Sequence, residues 1–120
     1  AWNNSPESAR DLTAAMPILC RAKKVYLAAV PPPVIEEREI LQSLQELQKM
    51  LRPPAIQAAI RIVREAQGRE AEALKERAYD ADCDLIVMGA YGHSRLREYL
   101  FGGVTREILK ECEVPVLTFR

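Results

Sequence analysis

The stretch Asp84–Thr105, reading DLIVMGAYGHSRLREYLFGGVT, decides the fold. It opens on an apolar run, Leu85-Ile86-Val87-Met88, and breaks at Gly89. A loop holding Gly92 follows, and then the pair Gly102-Gly103. Four of the chain's five glycines lie here. Glycine is needed where the backbone turns through positive φ or where a ligand approaches main-chain N–H groups closely. A buried strand that ends in glycine, a loop, and glycine at the start of a helix make a place for an anion or a nucleotide.

Working outward, the rest of the chain alternates strand and helix. Ala1-Trp2 reads as the tail of a strand, so the residues that would complete it lie outside the sequence, as in a truncated or excised domain. Ser5 suits an N-cap, with Pro6 at the first helical position and Glu7 in the first turn. Leu12, Ala15, Met16 and Leu19 recur at helical spacing, and Pro17 is expected to kink that helix or end it early. Arg21, Lys23 and Lys24 are expected at the helix end, complementing its dipole. Val25–Val30 is a strand stopped by Pro31-Pro32-Pro33. Ile40, Leu44, Leu47 and Leu51 mark one face of a second helix, opposite Gln42, Glu46 and Lys49, and Pro53-Pro54 ends it. Ala58–Arg64 is a third strand with Ile60 and Ile62 on one face. A third helix follows Gly68, with Ala71, Leu74 and Ala78 as a narrow stripe. After the glycine loop, Val104, Ile108 and Leu109 mark a last helix, and Val114–Phe119 a final strand.

Alternation of this kind predicts an α/β fold, a parallel sheet covered by helices on both faces, with right-handed connections. Ligands of such sheets sit beyond the carboxyl ends of the strands, at the switch in strand order. Those ends are Trp2-Asn3, Val30-Pro31 and Met88-Gly89.

Composition bounds the function. The 120 residues make one domain, with 48% hydrophobic and 28% charged residues. Lys plus Arg equal Asp plus Glu, 17 against 17, so neither nucleic acid nor a membrane surface is favoured as partner. No apolar run approaches a membrane span, and no signal segment is visible. Cys20, Cys83 and Cys112 are odd in number and form no C-x-x-C. They read as small half-buried hydrophobes in a reducing compartment rather than as a disulfide frame, a zinc site or redox groups.

The loop spacing, Gly89-x2-Gly92-x9-Gly102, is neither the dinucleotide fingerprint nor a Walker A loop. Its mechanics are still similar. Gly89 leaves no side chain over the site, Gly92 lets the backbone fold over a phosphate, and Gly102-Gly103 set free N–H groups at the start of the helix that carries Val104 and Thr105. Thr105 adds a hydroxyl, and Arg95 and Arg97 are cations in the same loop. His93, the single histidine, reads as a loop residue lining the ligand, because no nucleophile or metal ligands are spaced to use it. Asp80, Asp82 and Asp84 could be taken for a metal cluster but read better as a helix-end turn. Tyr91 and Tyr99 could stack on a base or pack the loop on the sheet.

The same residues resemble a known family. MGAYGHSRLREYLFGGVTREIL is similar to the glycine loop of universal stress proteins, VPVLTFR to their last strand, and AWNNSPESAR to their first strand-to-helix turn. The resemblance implies a Rossmann-like, adenine-nucleotide-binding fold with an open five-stranded sheet in the order 3-2-1-4-5. It implies a cytoplasmic stress-response domain that binds ATP or a related adenine nucleotide with Mg²⁺ and acts through occupancy and dimerisation. Carried onto this chain, Asn3 stands near the ribose, Val30 beside adenine, and Met88, Gly89, Gly92, Gly102, Gly103, Val104 and Thr105 in the loop around ribose and phosphates, where His93 is read beside them as lining the ligand. The last strand, Val114–Phe119, is implied as the contact with a second copy or with a tandem domain. Catalysis is not expected beyond slow ATP hydrolysis, since no carboxylate is placed to activate water. Two departures stand out: Gly103 replaces a hydroxyl residue and Asn3 an acidic one. They leave a second reading open, an interaction module of the same fold that has lost its nucleotide.

Overall fold

The computed structural model describes residues 1–2, 6–31, 36–51, 56–64, 68–89 and 102–118. Within them the order is α1 (Pro6–Leu19), β1 (Val25–Ala29), α2 (Glu37–Met50), β2 (Ala58–Ile62), α3 (Glu70–Asp80), β3 (Ile86–Val87), α4 (Gly102–Glu111) and β4 (Val116–Leu117). The strands form two parallel pairs, β1 with β2 and β3 with β4. Val25 lies beside Ala58 and Ala29 beside Ile62 in the first pair, and Ile86 beside Val116 in the second. The Ala1-Trp2 backbone reaches both pairs. Trp2 N donates to Ala28 O at 2.8 Å, and the Ala1 nitrogen donates to Val87 O.

Two apolar clusters lie on opposite faces of this arrangement. Consecutive strand residues divide between them, as the period of two requires: Trp2 and Val87 pack in the first, Ala1 and Met88 in the second. The first is built by α1 and α2 over β1 and β2. The α2 face Ile40, Leu44, Leu47 and Leu51 is buried, as its spacing predicts, and so is the inward face of β1, Val25, Leu27 and Ala29. Each such aliphatic side chain contributes about 1.5–3 kcal/mol on burial. The Trp2 indole N–H donates to Ser43 Oγ of α2 at 2.7 Å, which fixes the Ala1-Trp2 segment against that helix. The second cluster joins Ala71 and Leu74 of α3, Met88, Val104 and Ile108 of α4, Cys112 just past it, and Val116.

Pro17 does not end α1 early. The helix runs to Leu19, and Cys20 N still bonds Met16 O at 2.9 Å. In the last turn a proline forfeits one ladder bond, too little to stop a helix whose buried face continues at Ala15 and Leu19. The basic residues expected to complement this helix fall outside it. The last turn carries none. Arg21 belongs to the following turn, its N–H bonded to Ile18 O at 3.0 Å, and Lys24 lies over the Tyr26 ring, 5.0 Å from its centroid.

The acidic segment after α3 is a helix-end turn. Asp82 takes φ 51°, with its N–H to Tyr79 O at 3.0 Å, and Cys83 N bonds Ala78 O at 2.9 Å. That pairing is the left-handed C-terminal stop usually filled by glycine, which aspartate tolerates. No helix among the described residues is long and apolar enough to cross a membrane.

Candidate functional site

The expected site residues that are described lie after β1, after β3 and in the first turn of α4. Val30 follows β1 and is half-buried. Met88 follows β3, is 2% exposed, and its N–H bonds Leu117 O at 3.1 Å. Gly89 comes next, where the main chain meets α1. A Cβ at this position would lie 2.7 Å from Asp11 Oδ2 and 3.7 Å from Ser8 Oγ. A side chain here would force the Asp11 carboxylate or the strand end to shift, so glycine permits the close approach of helix and strand end.

Gly102 and Gly103 form the first turn of α4. The first N–H groups of any helix have no partner within it and carry the positive end of its dipole. Val104, in the same turn, is half-buried and joins Met88 in the second apolar cluster. Thr105 is fully buried, and its hydroxyl has no hydrogen-bond partner among the described residues. An unmatched buried hydroxyl costs on the order of 1–3 kcal/mol, so its retention asks for a reason.

The structure therefore brings Met88 and Val104 together and sets Gly89 and Thr105 next to them in sequence. Val30 ends the neighbouring strand, linked to β3 by way of Ala1-Trp2. Asn3, Gly92 and His93, with Tyr91, Tyr99, Arg95 and Arg97, lie outside the described residues. So does Phe119 at the end of the last strand.

Ser8 and Asp11 are missing from the sequence reading. Both are 5% exposed and sit in the first turns of α1. The signal was available: they fall in phase with Ala15 and Leu19, so the buried stripe of α1 is polar at its amino end and apolar at its carboxyl end. The polar end is the one that meets Gly89.

No group of three or more His, Cys, Asp or Glu among the described residues is placed to hold a metal ion. The three thiols are free. Burial, then the charges of Asp84 and Asp82, pushes the Cys83 thiol up, which disfavours the reactive thiolate.

The chain is 43% identical over 53 residues to Universal stress protein Slr1230 of Synechocystis sp., covering 44% of this chain and 18% of that one. It is 30% identical over 87 residues to Stress response protein NhaX of Bacillus subtilis, covering 72% and 51%. It is 40% identical over 43 residues to Universal stress protein MJ0577 of Methanocaldococcus jannaschii, covering 36% and 26%. The matches thus span about half or less of these relatives' own lengths. No solved structure matches the chain. The sequence pattern of one family, described as the universal stress protein family, fits residues 10–120, and with that span matched the chain belongs to the universal stress protein family.

Proposed function

We propose that this stress-response domain binds ATP or a related adenine nucleotide with Mg²⁺ at the carboxyl ends of its strands, in the cytoplasm, and signals through occupancy and dimerisation. In this reading the two strand pairs and Ala1-Trp2 make one five-stranded sheet in the order 3-2-1-4-5. The two backbone bonds of Ala1-Trp2, one to each pair, support that order. Val30 would meet the base and Asn3 the ribose. Met88, Gly89, Gly92, His93, Gly102, Gly103, Val104 and Thr105 would surround the ribose and phosphates. Mg²⁺ would accompany the phosphates, as the described residues supply no cluster of their own. A second copy or a tandem domain would pair with the last strand, Val114–Phe119.

The observation that carries the reading is Thr105. A fully buried hydroxyl without a partner among the described residues stands in the first turns of the helix that Gly102-Gly103 open. Buried polar groups are as a rule hydrogen-bonded, and a bound phosphate is one partner that would satisfy this one. The N–H groups beside it suit phosphate oxygens. Isothermal titration with ATP and Mg²⁺ tests the claim. Saturable heat and a rise in melting temperature are expected. Neither appearing at millimolar ATP would sink it.

One observation favours the second reading, an interaction module without nucleotide. Gly103 and Asn3 stand where the resemblance implies a hydroxyl and an acid. The hydroxyl missing at Gly103 is worth about 1 kcal/mol of binding, while Asn3 keeps a hydrogen-bonding group and loses the charge. Gly103→Ser separates the readings: it strengthens ATP binding if the pocket is intact and changes nothing if the pocket is lost.

A further inference from the structure

We infer that Gln48 and Arg61 close the outer edge of β2 against a second copy of this chain. The inference rests on the β1–β2 ladder and the two side chains bonded to its outer edge, and does not depend on the nucleotide reading.

The ladder fixes which groups of β2 face outward. Val25 N donates to Gln57 O at 2.8 Å, and Val63 N donates to Ala29 O at 2.9 Å. In a parallel pair the bonding residues of one strand alternate. Residues 57, 59, 61 and 63 therefore bond β1, and Ala58, Ile60 and Ile62 turn their N–H and C=O groups away from it. Among the described residues, β2 has no second strand partner. Its composition, Ala-Ala-Ile-Arg-Ile, is apolar enough that an open row of such groups would template pairing with another copy.

Two of the three outward carbonyls are occupied. Gln48, half-buried on α2, donates from Nε2 to Ala58 O at 2.7 Å. Arg61 donates from Nη1 to Ile60 O at 3.0 Å. The Arg61 guanidinium is also held over the Tyr26 ring, 5.3 Å from its centroid, which favours its place on the strand. An incoming strand would have to displace both donors and accept a like arginine close to its own. A copy of the chain is the relevant occupant because it is always present at the chain's own concentration and offers the same strand in return.

The test is sedimentation velocity over a range of protein concentrations, with circular dichroism to confirm the fold. The variants are Gln48→Ala, Arg61→Ala, the double variant, and the double variant with Ala58→Pro. Gln48→Ala changes no charge, so it isolates the hydrogen bond. Arg61 is exposed, so Arg61→Ala keeps the fold even if the double variant does not. Ala58→Pro removes an outward N–H at the first residue of the strand, where proline is tolerated. The expected result is self-association beyond the parent's own state at concentrations lower by about tenfold or more in the double variant, less in each single one. Ala58→Pro should return the double variant to the parent's behaviour. Folded variants that associate no more than the parent overturn the inference. So does an increase that Ala58→Pro leaves in place.

Discussion

The interior packed by α1 and α2 differs in kind from the interior packed by α3 and α4. The first buries ten hydrophobic residues in one cluster, the second three, among the described residues. The polar buried groups divide differently. Ser43 lies on α2 in the first region, Thr105 lies on α4, and Ser8 and Asp11 sit where α1 reaches the end of β3. The first region's Ser43 is matched by the Trp2 indole, whereas the Thr105 hydroxyl of the second has no partner among the described residues. Polar groups in a core are kept at a cost, and such costs concentrate at functional sites.

The sharpest way to break this contrast is a large-to-small change in the first region. Leu44 is 0% exposed on α2. Leu44→Ala should lower stability by about 3–5 kcal/mol in urea unfolding, as buried leucines do. A loss under about 1 kcal/mol would show that this interior does not carry the fold.

The next effect is at the junction of the two regions. Gly89→Ala places a methyl 2.7 Å from Asp11 Oδ2, so the carboxylate or the strand must shift. The expected loss is about 1–3 kcal/mol. With Asp11→Ala added, the double variant should be less destabilised than the two single losses combined, by about 1 kcal/mol of coupling. Simple additivity would mean that the helix and the strand end do not press on one another.

Thr105→Val should move stability the other way. It keeps the shape and removes the unmatched hydroxyl, so unfolding free energy should hold or rise by roughly 1 kcal/mol. A loss of 2 kcal/mol or more, roughly the cost of a broken buried network, would mean that the hydroxyl is structural.

The smallest effect concerns an exposed clip in the first region. Arg64 donates from Nε to both Glu37 oxygens, at 3.2 and 3.0 Å, tying the end of β2 to the start of α2. That hydrogen bond, and then the arginine charge, holds the Glu37 carboxyl below its usual value. The pair's contribution is therefore present above the ordinary glutamate range and is lost as pH falls through Glu37's lowered pKa. The melting temperatures of Glu37→Gln and the parent should differ slightly at neutral pH and converge in strong acid. The gap should also narrow with salt. A gap that widens in acid would contradict the assignment.

What was legible in the sequence followed periodicity and punctuation. The α2 stripe could be read because Ile40, Leu44, Leu47 and Leu51 keep the helical period, and all four are buried. Met88, Gly89 and Gly102 could be read because glycine breaks an apolar run where a strand or a helix must end. Strand extents were read too long, since β3 and β4 keep only two ladder residues each and apolar residues continue past the ladder. The Ser8–Asp11 contact with Gly89 joins positions some eighty residues apart, and no local pattern encodes such a partner. The outward carbonyls of β2 were hidden for another reason. Which groups face an edge depends on register, and register is settled only once two strands pair.

In the proposed function, the buried Thr105 hydroxyl and the Gly102-Gly103 turn that opens α4 serve a nucleotide. The most direct measurement is isothermal titration of the parent, Thr105→Val and Gly103→Ser with ATP and Mg²⁺. Saturable binding by the parent is predicted, weakened about tenfold by Thr105→Val without loss of stability and strengthened by Gly103→Ser. No binding heat and no thermal stabilisation at millimolar ATP, in the parent and in Gly103→Ser alike, would contradict it.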